Sequence, residues 1–232
     1  MLFKQIHRLT EELFMSSAGM DKVQRSHKDF PGKKVGIMGG TFDPIHNAHL
    51  ALGECARIQL SLDEVWFMPA KDPYFKKKKN VTPSKLRAEM TTLAVLGREG
   101  FRMSDFELLR DGETYTAETL EKLNELYPDI HFYFIIGSDS MYQIDTWWHP
   151  EIIMKIATLV VAEREYPGRQ RSFMDQVRYL QERFGADVSV LDFEESDISS
   201  TMIREMAAKG EDISGLVPRE VALYIKDKGL YK

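Results

Sequence analysis

Apolar residues are arranged along this chain in two alternating patterns. Short continuous apolar runs are typical of strands buried on both faces of a parallel sheet. Between them, apolar residues recur at helical spacing, and one such segment, from Leu86 to Leu96, predicts a helix with Arg87 on its flank. The alternation predicts an α/β fold, a Rossmann-like doubly wound parallel sheet with C-terminal helices that complete the site. The predicted strands are Val35–Met38, Val65–Met68, His131–Ile136, Ala157–Ala162 and Val188–Leu191.

The first 32 residues are a segment of a different kind. Apolar residues recur at helical spacing between Leu2 and Leu13, which predicts an amphipathic helix. The polar stretch from Asp21 to Gly32 is typical of a linker. We therefore predict a helix and linker over 1–32 and one domain over 33–232. The helix has two candidate contacts, this domain and a second copy of the chain, and the latter contact would give a homo-oligomer.

Composition and charge exclude several classes of protein. Of the 232 residues, 43% are hydrophobic and 29% are charged, with a net charge of -5. These values are ordinary for a soluble globular protein and unfavourable for a duplex nucleic-acid binder. Positive groups for the phosphates of a substrate must therefore come from residues at the binding site itself. The single cysteine, Cys55, cannot form an internal disulfide, and no apolar run approaches membrane length. We expect a cytoplasmic protein without membrane or nucleic-acid partners.

A strand, a glycine turn and a helix follow one another from Val35 to Leu50, in the stretch V-G-I-M-G-G-T-F-D-P-I-H-N-A-H-L. Gly39 and Gly40 remove side chains where the backbone turns and a ligand can approach closely. Asp43-Pro44 favours a turn, and apolar spacing predicts a helix from there to Leu60. The N-terminus of that helix therefore points back at the glycines.

His46 and His49 lie one turn apart at the start of this predicted helix. A helix N-terminus with free N–H groups favours anions, and the two imidazoles would add side-chain donors. A bare i, i+3 histidine pair is more often incidental, but its register with the strand and the glycines favours a site. No third metal ligand is evident nearby in the sequence, so we predict a phosphate site rather than a zinc site.

A second predicted phosphate site reads I-S-S-T-M-I-R and ends at Arg204. Ser199, Ser200 and Thr201 supply hydroxyls and N–H groups at a helix start, and the arginine supplies a cationic fork. Standing alone, the motif would be an ordinary serine cap with a surface arginine.

Two further segments stand at the ends of predicted elements. The first begins with a short strand at Phe106 and continues through a turn into a helix capped by Thr116. The second follows a strand end, which in an open α/β sheet faces the ligand crevice. There Asp139 either caps the next helix or holds a ribose hydroxyl. Trp147 is either a core residue or a stacking platform for a flat ligand ring.

The histidine stretch resembles the first signature of nucleotidyltransferases that carry an H-x-G-H motif. Its T-F-D-P-I-H form resembles bacterial nicotinate-nucleotide adenylyltransferases, and I-S-S-T-M-I-R and F-I-I-G-S-D-S match the same family. The resemblance covers nearly everything after residue 33. Two positions depart clearly from the family pattern, since Ala48 replaces the usual Gly and Phe75 replaces His, while Thr114 for Ser and Glu118 for Asp are mild changes.

The resemblance implies transfer of AMP from ATP to nicotinate mononucleotide, with Mg²⁺ bridging the leaving pyrophosphate and no dedicated protein cage for the metal. It implies catalytic roles for His46, His49 and Arg204. It places ATP against Gly39, Gly40, Thr41, Phe42, Gly137, Asp139, Ser199, Ser200 and Thr201. It places the mononucleotide against Lys76, Tyr115, Thr116, Trp147, Trp148 and Arg164.

Several alternatives stay open at this point. The acceptor could instead be nicotinamide mononucleotide, both mononucleotides, or pantetheine phosphate, although Tyr115-Thr116 and the spacing to Trp147 oppose the last. From another class, the protein could be a nucleotide-binding regulator with a dead site, which the intact histidines and I-S-S-T-M-I-R oppose. The run Lys76–Lys79 is either a solvated loop or a cationic flap over phosphates.

Overall fold

The computed structural model describes residues 32–71, 81–110, 112, 114–163, 171–194 and 196–232. The predicted N-terminal helix and linker, Lys76 with its lysine run, and Arg164 lie outside the described residues and stay predictions. Phe75, one of the two departures from the family pattern, also lies outside them.

Within the described part of the chain, six strands form one parallel sheet in the order β3-β2-β1-β4-β5-β6. The chain winds outward from β1 in one direction and then crosses to β4, which is the doubly wound arrangement that the sequence predicted. The strands are β1 Lys33–Gly40, β2 Glu64–Pro69, β3 Phe101–Met103, β4 Ile130–Ile136, β5 Ala157–Ala162 and β6 Val188–Leu191.

Helices cover both faces of this sheet. Because side chains alternate along a strand, Phe134 packs in one core and Ile135 in the other. The helices are α1 Asn47–Gln59, α2 Ser84–Val95, α3 Thr116–Leu126, α4 Ser138–Met141, α5 Pro150–Ile156, α6 Phe173–Phe184, α7 Ser200–Lys209 and α8 Arg219–Lys228, with a 3-10 turn at Ile144–Thr146. No helix among the described residues is long and apolar enough to cross a bilayer.

The segment around Phe106 differs from its prediction. It is a turn, in which the Leu108 N–H donates to the Asp105 carbonyl at 2.8 Å, while the strand lies earlier, at Phe101–Met103. A three-residue edge strand is too short for a clear apolar run, so the apolar cluster after it was the stronger signal. The predicted Thr116 cap is also wrong, because Tyr115 is the N-cap residue and makes no side-chain capping bond.

The largest difference between prediction and structure concerns Arg87, which was predicted on the flank of its helix. Its side chain is 1% exposed, and its guanidinium donates to the carbonyls of Thr41 at 2.6 Å, Ala70 at 2.7 Å and Thr82 at 2.8 Å. Backbone carbonyls beyond the ends of two neighbouring strands have left the sheet ladder and need donors. Arg87 supplies them, which explains how a charged side chain is buried here.

The sheet order fixes where a ligand can bind. Strands β1 and β4 are adjacent, and the chain leaves them toward opposite sides of the sheet. Their carboxyl ends therefore open a crevice between the segments that follow, residues 41–46 after β1 and residues 137–147 after β4. The predicted phosphate turn and the predicted tryptophan segment meet at this edge.

Candidate active site

The turn after β1 folds back on the strand that precedes it. A side chain at Gly40 would place its Cβ 2.9 Å from the Phe42 ring, so only glycine leaves room for that ring to cover the strand end. Phe42 is 2% exposed and has a left-handed backbone, with φ at 49°. The turn then runs through a cis Asp43–Pro44 peptide into the N-terminus of α1.

The two histidines at this N-terminus have different environments. The rings of His46 and His49 stack with centroids 3.7 Å apart, and His46 is 6% exposed while His49 lines the cleft. The His46 backbone N–H donates to His49 Nδ1 at 3.2 Å, so a neutral His49 carries its proton on Nε2. Burial lowers the pKa of His46 to about 4, so His46 is uncharged at neutral pH. His49 is therefore the histidine with an open path to a ligand in the cleft, while the His46 ring packs behind it, and the catalytic roles of both stay predictions.

The second phosphate motif is joined directly to the first turn. Ser199 caps α7 by accepting from the Met202 N–H at 3.2 Å, and Ser200 Oγ donates to the Pro44 carbonyl at 2.9 Å. Arg204 donates from Nη1 to the Asp43 carbonyl at 2.7 Å and from Nη2 to Thr201 Oγ1 at 3.1 Å. Two motifs that lie far apart in sequence thus form one cationic, hydroxyl-rich cluster.

A cleft of about 700 Å³ runs from the glycine turn to an aromatic wall. The rings of Tyr115 and Trp148 stack with centroids 5.1 Å apart, and Trp147 meets Phe134 edge to face at 6.3 Å. The predicted ligand residues that line the cleft are Gly39, Gly40, Thr41, His49, Tyr115, Thr116, Gly137, Trp147 and Trp148. The cleft is large enough for two substrates that meet near the histidines.

Comparison with known proteins identifies the family. Residues 37–206 match the family model described as cytidylyltransferase-like, which is more than half of the chain. The chain is 39% identical over 199 residues to a probable nicotinate-nucleotide adenylyltransferase of Lachnoclostridium phytofermentans, covering 86% of this chain and 99% of that protein. It is 39% identical over 201 residues to a probable nicotinate-nucleotide adenylyltransferase of Clostridium tetani, covering 86% of this chain and 100% of that protein. The chain belongs to the nicotinate-nucleotide adenylyltransferase family.

Solved structures agree with this family in fold. The chain matches a Plasmodium falciparum nicotinic acid mononucleotide adenylyltransferase complexed with NaAD at a TM-score of 0.69 and 24% identity, covering 86% of this chain and 97% of that one. A second structure of that protein, complexed with APC, matches at a TM-score of 0.68 and 23% identity. The adenylyltransferase fold is therefore conserved well beyond the bacterial relatives.

Some predicted site residues stand apart from the cleft wall of this adenylyltransferase. Asp139, on the short helix α4, is exposed, and its assignment to a ribose hydroxyl stays a prediction. Phe42 packs edge to face against His49 at 5.0 Å, which makes its side chain part of the core behind the histidine. Its predicted contribution to ATP is through the backbone.

The sequence analysis missed a polar group in the cleft wall. Glu107 lines the cleft and accepts from Thr119 Oγ1 at 2.9 Å, while Arg110 Nη1 donates to that hydroxyl at 2.8 Å. Burial raises the pKa of Glu107. The only signal in the sequence was its place within F-E-L-L-R, which an apolar pattern cannot distinguish from a surface glutamate.

Among the residues that the structure describes, no group of three or more histidine, cysteine or acidic side chains is placed to hold a metal ion. The expectation that Mg²⁺ arrives with ATP and keeps phosphate and water ligands stays a prediction.

The lowered pKa of His46 makes folding stability depend on pH. The unfolded chain binds the proton near the ordinary pKa of 6.5, whereas the folded chain binds it only near 4. Stability from this group is therefore complete above about pH 6.5 and is lost as pH falls toward 4, by up to about 3 kcal/mol. Urea unfolding of the wild type and His46→Gln at pH 7 and pH 4.5 should show a smaller acid loss in the variant. An identical loss in both proteins would contradict the assignment.

Loss of the His49 donor should affect turnover far more than folding. We expect His49→Ala to lower kcat by at least about a hundredfold, because a donor to developing phosphate charge acts mainly in the transition state. The control is His131→Ala, which removes an exposed histidine at the amino end of the sheet and should keep near wild-type kcat. Near wild-type turnover of His49→Ala would remove His49 from the catalytic assignment.

Proposed function

We propose that this chain transfers the adenylyl group of ATP to nicotinate mononucleotide, forming nicotinate adenine dinucleotide and pyrophosphate in NAD synthesis. One observation carries the proposal. A single cleft joins the phosphate-binding turn and His49 to an aromatic wall that includes Tyr115 and Trp147. A site that must hold a triphosphate beside a flat pyridine ring needs this combination. The names of the bacterial relatives support it.

The reaction needs no nucleophile from the protein. A phosphate oxygen of the mononucleotide forms a new bond to the α-phosphorus of ATP, and the bond from that phosphorus to the leaving pyrophosphate breaks. Catalysis then consists of positioning and of neutralising charge on the phosphates. Mg²⁺ arriving with ATP would supply further positive charge to the leaving pyrophosphate.

The residues around the first turn are assigned to this phosphate chemistry. The Nε2–H of His49 donates to the phosphoryl group in transfer, and the fork of Arg204 meets the developing negative charge. Backbone N–H groups at the starts of α1 and α7 add partial positive charge. Gly39, Gly40 and Thr41 let the nucleotide approach the backbone. The hydroxyl groups for the phosphates come from Ser199, Ser200 and Thr201.

The other end of the cleft is assigned to the pyridine ring. Helix α3 begins at Thr116, and the N–H groups of its first turn have no intrahelical acceptors. These groups lie at the cleft wall next to Tyr115 and are suited to a carboxylate. Trp147 and Trp148 supply flat apolar surface beside them.

The setting of the reaction follows from composition and is also proposed. With a net charge of -5 and a single cysteine, the chain suits a reducing cytoplasm and a small anionic substrate better than a nucleic acid. Homo-oligomerisation through the segment 1–32 is part of the same proposal.

Preference for the acid is the sharpest consequence of this assignment. Nicotinate mononucleotide carries a carboxylate where nicotinamide mononucleotide carries an amide. Donors aimed at an anion favour the carboxylate. Two such donors, at about 1.5 to 3 kcal/mol each, correspond to a preference for the acid over the amide of roughly two to four orders of magnitude. We expect kcat/KM for nicotinate mononucleotide to exceed that for the amide by at least about a hundredfold. A pyrophosphate-release assay with ATP measures both values.

The same assay separates the alternatives. Trp147→Ala should weaken the binding of both mononucleotides through lost stacking, without changing the ratio of their kcat/KM values. Comparable efficiency on the two mononucleotides would replace the acid-specific assignment with dual specificity. Pyrophosphate release only when pantetheine phosphate is the acceptor would change the acceptor class. No pyrophosphate release with any acceptor would favour a nucleotide-binding regulator.

A further inference from the structure

Asp43, in the turn between β1 and α1, joins three distant parts of the chain. It is 3% exposed, and its Oδ1 accepts from the Tyr231 hydroxyl at 2.8 Å. Its Oδ2 accepts from the Thr82 N–H at 3.2 Å, and its backbone carbonyl accepts from Arg204 Nη1 at 2.7 Å. The side chain and the carbonyl of a single turn residue are thus both held, and the partner of the carbonyl is the arginine assigned to the phosphates.

Tyr231 reaches this turn from the end of the chain, 188 residues away. Its backbone is left-handed, with φ at 67°, a conformation that a bulky L residue seldom adopts. Burial and the neighbouring Asp43 raise the pKa of its hydroxyl, which therefore stays a donor through the neutral range. Tyr231, like Asp43 and Arg204, is not among the residues that line the cleft, so its influence on the substrates is indirect. Its hydroxyl also interacts with the Thr82 side chain and with the charge of Arg204, so the Asp43 bond is one of its links to the site.

The orientation of Arg204 depends on the turn. One contact of its guanidinium is to Thr201 on the same helix, at 3.1 Å, and this contact moves with that helix. The contact to the Asp43 carbonyl is the one that ties the guanidinium to the glycine turn. A planar guanidinium held at two nitrogens, here Nη1 and Nη2, has its remaining N–H groups fixed in direction as well. A change in the Asp43 peptide plane would therefore redirect them.

We propose that Tyr231 is a positioning residue for the adenylyl transfer, which fixes the Asp43 side chain and thereby holds the Asp43 carbonyl where it orients Arg204. The proposal rests on the proposed function. Arg204 is assigned to the phosphates of bound ATP and most heavily to the charge that they develop in the transition state. Loss of the Tyr231 hydroxyl should therefore weaken ATP binding somewhat and lower kcat more than it changes KM for the mononucleotide.

Tyr231→Phe tests this by removing one oxygen atom. We expect kcat to fall about tenfold, equivalent to about 1.4 kcal/mol, and KM for nicotinate mononucleotide to stay within about twofold. Activities are measured per folded molecule, at a temperature where circular dichroism shows both proteins fully folded. Wild-type kcat in Tyr231→Phe would overturn the proposal.

Tyr224→Phe is a matched control on the C-terminal helix α8, which ends just before Tyr231. The Tyr224 hydroxyl donates to Glu89 on α2, in a buried contact away from the turn. The control loses the same atom from a purely structural pair. It should lower the thermal midpoint and leave kcat and KM unchanged, whereas an equal kcat loss in both variants would show a general packing effect and overturn the proposal.

A double-mutant cycle shows whether the influence of Tyr231 passes through Arg204. In an Arg204→Ala background, Tyr231→Phe should change kcat by less than about twofold, because the group that it positions is gone. A further tenfold loss in that background would show that Tyr231 acts by another route and would overturn the proposal.

ATP binding keeps this proposal distinguishable from the proposed function. A wild-type protein that releases no pyrophosphate with any mononucleotide would end the proposed function. Calorimetry with ATP would then decide the role of Tyr231. Tyr231→Phe should bind ATP about threefold or more weakly and Tyr224→Phe as tightly as the wild type. Equal ATP affinity in the wild type and Tyr231→Phe would overturn the positioning role.

Discussion

The backbone of residues 41–44 is the constraint on which the rest of the site depends. Carbonyl oxygens along this turn accept hydrogen bonds from the side chains of Arg87, Ser200 and Arg204. Hydrogen bonds from a charged donor contribute about 1.5 to 3 kcal/mol each, and a buried carbonyl left without a donor costs about as much as such a bond gives. The turn therefore has one conformation, and both histidines take their positions from it.

Electrostatics in this site depend on directed donors more than on net charge. The chain is acidic overall, and burial keeps His46 neutral next to the predicted phosphates. In the proposed site, the described groups that would neutralise the phosphates include N–H groups at helix starts, the His49 imidazole and the Arg204 guanidinium. Such donors are preorganised, so they need no reorganisation when charge develops. On this proposal, the contacts that orient Arg204 matter as much as the charge it carries.

Sequence patterns predicted those parts of the fold that depend on local chemistry. Helix α6 has local signals at both ends, because Ser172 caps its start and Gly185 ends it in a left-handed conformation. Strand β5 has the predicted bounds, since its largely apolar run is buried along its whole length. The edge strand β6 also has the predicted bounds, although Ser189 interrupts its apolar run and only Leu191 is buried. The two phosphate motifs were recognised from local sequence and are brought together by the fold.

The parts that sequence could not predict depend on contacts between distant residues. Burial of Arg87 results from carbonyls on three segments, none of which is evident from the pattern of its own helix. The bond between Tyr231 and Asp43 likewise joins a turn to the end of the chain. Glu107 was missed because its burial comes from the cleft wall and not from its neighbours in sequence.

In the proposed site, the turn after β1 and the arginine that it orients bind the reacting phosphates. A crystal structure of the protein with nicotinate mononucleotide and a non-hydrolysable ATP analogue would show where these phosphates lie. We expect phosphate oxygens within about 3 Å of His49 Nε2 and of the Arg204 guanidinium, with the pyridine carboxylate at the N–H groups of the first turn of α3. Phosphates bound away from both side chains, or a pyridine ring outside the cleft by Trp147, would contradict it.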